Sequence, residues 1–191
     1  MANVEGLYKD YLDLKKYLEK EEQPSLVIFV NNSFKKVLVI AAASFFEEEV
    51  KDVLKNLAII CSSNNNILVN FVKNKAIERM YHQYFQWDKE KNPRQNANNF
   101  FGLFGNDFKS MAINDVKIDP KLEQAIKDFL ELGDLRNQFA HQDFAKIIPN
   151  KTAEEYYYLY KSSKYFIKYL KNKLEYETNL PNLFSLFECA P

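Results

Sequence analysis

The chain has 191 residues, 47% of them hydrophobic, and its 26 Lys and Arg balance 26 Asp and Glu, so the formal net charge is zero. That length and apolar content suit a single domain, 1–191, able to bury a core without disulfides, and they exclude a disordered chain. Zero net charge argues against a broad, nonspecific nucleic-acid coat, which needs excess positive charge, and leaves only a local cationic cleft.

Val4, Leu7, Tyr8, Tyr11, Leu14, Tyr17 and Leu18 recur at helical spacing, predicting a first helix that Glu21–Pro24 end. This N-terminus is charged and amphipathic and lacks the apolar region of a signal peptide. "SLVIFV" (25–30) reads equally as a short strand or as helix. Asn31, Asn32 and Ser33 then look like an N-cap for a second helix over about 34–60, with Val39, Ala43, Phe46, Val50, Val53 and Leu57 on one face. Its longest apolar run, Val37 to Phe46, is too short to span a bilayer.

"CSSNNN" (61–66) breaks the pattern, and a third helix is expected over about 67–88. Residues 89–118 read as an irregular, Asn-rich region with Gly102 and Gly105 as turn points. Asp119 and Pro120 supply an N-cap and a first-turn proline for a fourth helix. Gly133 is expected to break it, with Asp134 capping a new segment. Pro149 and Asn150 precede the last helix, about 152–175, and the apolar tail "LPNLFSLFECAP" is expected to dock back on the bundle. The composite expectation is an all-α bundle of about five helices. Cys61 and Cys189 form no metal or redox spacing, so reduced thiols, a cytoplasmic location and no membrane association are expected.

The segment after Asp134 carries the chemistry. Arg136, Asn137 and His141 lie within about a turn and a half of helix, with Asn137 and His141 one turn apart on one face and Arg136 about 100° to the side. Arg supplies a permanent cation for phosphate oxygens, and His trades protons near neutral pH. Leu135 and Phe139 can face a core while the polar group looks outward. Spacing alone also fits a surface helix with incidental polar residues.

The stretch "LGDLRNQFAHQDF" resembles the signature of the HEPN superfamily, in which Arg, a polar residue, a short spacer and His mark an all-helical ribonuclease that needs no metal. The early helix "VLVIAAASFFEEEVKDVL" and the stretch "NNFFGLFG" are similar to features of the bacterial RiboL-PSP-HEPN branch. The resemblance covers residues 34 to 145, and only its Arg–His motif is specific. It implies that Arg136 binds and polarises the scissile phosphate and that His141 serves the proton transfers of 2′-OH attack. It also implies that Asn137 orients the His or binds a phosphate oxygen. The products would be a 2′,3′-cyclic phosphate and a 5′-OH, with no metal or cofactor. Two chains would pack with their motifs facing, so that a homodimer forms the enzyme. A toxin or anti-phage role, with single-stranded RNA or tRNA as substrate and an antitoxin or other regulatory protein as partner, follows from the same resemblance. One departure concerns control: some relatives carry a modifiable Tyr two residues after the His, where this chain has Asp143 and then Phe144.

Glu47 flanks the apolar face of the second helix and needs a partner, for which Arg136 or His141 is suitable; an ordinary boundary Glu fits equally well. Lys161, Lys164, Lys168 and Lys171 repeat at 3-4-3 spacing among Tyr157, Tyr158, Tyr165 and Tyr169. This stripe could contact RNA, although a solvated helix face is the more ordinary reading. His82, one turn after Glu78, has no neighbouring ligand types and makes an improbable metal site. Two alternatives to the ribonuclease remain open. One is a non-catalytic HEPN module that binds nucleotide or RNA or pairs with a protein; the other is a plain helical scaffold.

Overall fold

A computed structural model describes residues 3–63, 65–88, 90–141, 146–147 and 149–187, with residue 79 and residues 176–187 described by backbone alone. Eight α-helices and no strand occur among the described residues. The all-α expectation therefore holds, while several boundaries move for identifiable reasons.

Helix α1 (Val4–Lys20) starts where the Asn3 side chain accepts the Gly6 N–H at 2.7 Å, and it buries Val4, Tyr11 and Leu18. Helix α2 (Pro24–Cys61) begins ten residues before the expected 34, with proline at its first turn. Asn31, Asn32 and Ser33 lie inside it and cap nothing. Asn31 instead accepts the Tyr11 hydroxyl at 2.6 Å, which ties α2 to α1, and Tyr11 stacks on Phe34 at 4.1 Å. Because α2 is unbroken, it is long and apolar enough to cross a membrane by length and composition; one 18-residue window has a mean hydropathy of 1.6 and is 17% buried. Its buried residues Leu38, Val39, Ala42, Phe46 and Val50 belong to the helical core.

The expected third helix is α3 (Asn66–Val72), a π-helical turn (Lys73–Ile77) and α4 (Glu78–Tyr84), and the chain turns extended at Phe85. Residues 85–97 hold the remaining irregular stretch. Asn92 organises it, donating to Gln86 O at 3.1 Å and Asn96 O at 2.9 Å and accepting from Asn96 N at 3.2 Å. The rest of the expected loop is helical: α5 (Asn98–Gly102) and α6 (Asn106–Ile118), joined at Gly105, whose φ of 101° suits glycine. Phe108 and Ala112, one turn apart, bury the inner face of α6 among polar neighbours.

Helix α7 (Pro120–His141) starts on the Asp119 cap, whose Oδ1 accepts Lys121 N at 2.9 Å and Leu122 N at 3.2 Å. It then runs through Gly133 without a break. A Cβ at Gly133 would sit 2.1 Å from the Trp87 ring, so this glycine is needed for close approach and not for a turn. Asp134 is correspondingly no cap, and its Oδ2 accepts from Gln138 Nε2 at 3.1 Å. Helix α8 (Ala153–Phe187) opens with a reciprocal cap between Thr152 and Glu155 and extends past the expected 175. The expected docking of the tail falls on side chains outside the described residues.

Phe46, Phe129, Tyr160 and Phe166 are each at most 1% exposed and form the centre where α2, α7 and α8 meet. Burying each such ring contributes about 1.5–3 kcal/mol, and edge-on aromatic pairs add about 0.5–1.5 kcal/mol. This rigid junction fixes the last turns of α7 against the middle of α2.

Candidate active site

The last turns of α7 present two faces. Phe139 points into the core, 6% exposed, and anchors the helix. Asn137, Gln138, His141 and Asp134 line one side of an open groove of about 850 Å³, whose opposite side is Phe85, Gln86, Trp87, Asp88, Glu90 and Lys91. Phe85 and Trp87 are buried and form an apolar floor; the Trp87 indole N–H donates to His82 O at 3.3 Å. The His141 side is solvent-exposed.

Arg136 lies on the neighbouring face and turns toward α2. Its Nη2 stands 3.8 Å from Glu47 Oε2, and its Nη1 donates weakly to Asn137 Oδ1 at 3.4 Å. Glu47 is also 2.8 Å from Lys51 Nζ through its other oxygen. Lys51 additionally faces Glu48 at 3.4 Å and Glu78 at 3.7 Å. Burial works against the Lys51 ammonium, but the Glu47 hydrogen bond and charge outweigh it and raise its pKa. The Tyr81 hydroxyl closes the cluster. Burial and then the Glu47 carboxylate push its pKa far up, against the opposing pull of Arg136, so it stays a neutral phenol.

The structure thus brings Arg136, Asn137 and Glu47 together and sets His141 one turn beyond, along a groove wall shared with Asn137. It does not bring the α8 lysines to them. Lys164 bonds Glu5 at 2.9 Å and Lys171 bonds Glu49 at 2.7 Å, while Lys161 lies over the Tyr157 ring at 5.8 Å. Lys168 is exposed on the same helix. Tyr157 stacks on Tyr8 at 4.0 Å, and Tyr165 and Tyr169 donate to Asp119 and Asp115. Three of the four lysines and three of the four tyrosines are therefore engaged within the chain, which favours the solvated-face reading of that stripe. His82 is exposed on α4, and among the described residues no three His, Cys, Asp or Glu side chains could hold a metal ion. Asp143 and Phe144 lie outside the described residues.

Sequence reasoning missed Lys51, Tyr81 and the far wall of the groove. Lys51 had a signal, since it follows Glu47 by one helical turn. Tyr81, Gln86 and Trp87 had none, because only tertiary packing brings them in, α4 against α2 and the following segment, through Trp87, against Phe129 and Gly133 of α7.

An all-helical bundle in which a long helix ends in Arg-Asn and then His is consistent with a HEPN-type domain. The chain belongs to the RiboL-PSP-HEPN family, whose model matches residues 5–176. No curated protein and no solved structure matches it significantly. Membership indicates a HEPN-type ribonuclease or a nucleotide-binding module.

Proposed function

We propose that the chain is a metal-independent endoribonuclease whose active site is composite, formed by two copies, and that it acts as a toxin or anti-phage effector under a regulatory protein. The observation that carries this reading is the arrangement of the α7 terminus. His141 lines an open groove together with Asn137, and Arg136, on the neighbouring face of the same helix end, is close to a carboxylate without being tightly bonded to it.

In this account Arg136 takes a non-bridging oxygen of the scissile phosphate, and Asn137 bonds a second oxygen or the imidazole. One His141 removes the ribose 2′-OH proton. The 2′ oxygen attacks phosphorus, the bond from phosphorus to the 5′ oxygen breaks, and a second imidazole protonates that leaving oxygen. The products are a 2′,3′-cyclic phosphate and a 5′-OH. A single chain supplies only one such His, so the second comes from another copy. The groove itself suits the base side of a nucleotide. Its floor is aromatic, and among the described residues of its walls the carboxylates Asp88, Glu90 and Asp134 outnumber Lys91, which disfavours phosphate there.

A surface on α2 supports pairing. Leu26, Phe29, Ser33, Val37, Ile40, Ser44, Glu47 and Lys51 follow one another at spacings of three and four residues, forming one stripe. Leu26, Phe29, Val37 and Ile40 are 39–66% exposed, so an apolar seam runs straight into the Glu47–Arg136 cluster. A second copy packed on that seam would bring its own motif to the first.

The test is product analysis. An RNA oligonucleotide should be cut to fragments ending in cyclic phosphate, and a single 2′-deoxy substitution at the cut nucleotide should abolish that cut. Tight RNA binding without cleavage would favour the non-catalytic module.

A further inference from the structure

We infer that Lys51 is a positioning residue for Arg136: by holding Glu47, it keeps the guanidinium available to an RNA phosphate. The inference rests on the ribonuclease reading above and adds a residue to it.

The argument begins from the geometry of the shared carboxylate. Glu47 gives Oε1 to Lys51 at 2.8 Å, while Oε2 faces Arg136 at 3.8 Å. The first is a charge-assisted hydrogen bond; the second is an ion pair without one. An Arg fork beside a carboxylate ordinarily closes to two short parallel bonds, which is its preferred geometry. Here it has not closed, and the guanidinium makes no hydrogen bond shorter than 3.4 Å among the described residues. Lys51 is the reason this is stable. Its side chain is only 13% exposed and that of Glu47 only 19%, so water cannot neutralise the carboxylate cheaply and the ammonium does so instead.

Charge counting points the same way. Three carboxylates, Glu47, Glu48 and Glu78, lie within 4 Å of the Lys51 ammonium. With its donors directed at them, Lys51 is committed to the protein and acts on phosphate only through Glu47. Without Lys51, the described cation left beside Glu47 is Arg136. The fork would then close on Glu47 and its donors would be spent.

The experiment compares Lys51→Met, Lys51→Arg and the double variant Lys51→Met/Glu47→Gln with wild type. The readouts are RNA cleavage kinetics and the ¹⁵N NMR signals of the Arg136 guanidinium. Lys51→Met should raise KM for an RNA oligonucleotide about tenfold with kcat changed by less than about threefold, because binding of the phosphate is what is lost. Its Arg136 Nη signals should separate as the closed pair slows rotation of the guanidinium. Adding Glu47→Gln should bring KM back to within about threefold of wild type and merge the signals, and Lys51→Arg should behave as wild type. Lys51→Gln repeats the test should Met prevent folding. An unchanged KM with merged signals in Lys51→Met would overturn the inference, as would a loss that Glu47→Gln does not relieve. If wild type cuts no RNA, the ribonuclease reading fails by itself. The NMR signals of the same variants still decide whether Lys51 keeps Arg136 from closing on Glu47.

Discussion

Gly133 lies directly against the indole of Trp87, so close that a Cβ at this position would fall 2.1 Å from ring atoms Cε3 and Cζ3. The contact lets α7 continue to the Arg136–His141 segment while Trp87 forms the floor of the groove beside it. Gly133→Ala would gain about 1 kcal/mol of helix propensity. Overpacking a buried, rigid ring costs about 1–3 kcal/mol, and this overlap belongs at the top of that range. The expected net loss is about 2 kcal/mol, seen as a fall in Tm of about 5 °C. Trp87 is the single tryptophan, so its fluorescence should shift in the same variant. Equal or greater stability would show that α7 and the 85–97 segment separate easily.

Asp128 gives a pH-dependent prediction. It is 3% exposed within α7; Gln124 Nε2 donates to its Oδ1 at 2.8 Å, and Oδ2 has no partner among the described residues. Burial raises its pKa, partly offset by the nearby Ser162 and Gln124 side chains. A carboxyl whose folded pKa lies above its unfolded value keeps its proton longer in the folded state. Its contribution to stability therefore falls as pH rises from the unfolded pKa through the folded one. Asp128→Asn should be more stable than wild type at pH 7, with the advantage shrinking as pH falls toward 4. Thermal melts across that range decide it. A variant less stable at every pH would mean the carboxylate is fully compensated in place.

The α2 seam predicts the assembly. Ile40 is 39% exposed, so Ile40→Glu should fold normally in one chain. Placed in an apolar interface, the charge should shift the protein to monomer in sedimentation and reduce cleavage at least about tenfold. A monomeric variant with full activity would remove the composite site from the account.

The parts of the fold legible in the sequence are those fixed by local chemistry. The start of α7 is one, because the Asp119 side chain caps its own neighbours. The parts misread are those whose residues answer to distant partners. Asn31 looks like a cap but bonds Tyr11 of α1, and Gly133 looks like a break but makes room for Trp87. Helix α6 escaped notice because Phe108 and Ala112 are its only buried residues, set among Asn, Asp and Lys. The site divides similarly. Arg136, Asn137 and His141 are consecutive enough to be read together, and Glu47 stood out as a carboxylate flanking an apolar face. Tyr81 and the groove floor depend on how α4 packs on α2 and how Trp87 meets α7, which no local pattern encodes.

The account stands most directly on RNA cleavage in EDTA by wild type, His141→Ala and Arg136→Ala, using labelled single-stranded RNA and total tRNA. Both substituted side chains are at least partly exposed, so the variants should fold as wild type does. The prediction is cleavage by wild type alone, with cyclic phosphate ends and a loss of about 100-fold or more in each variant. Cleavage that survives in both variants would contradict it.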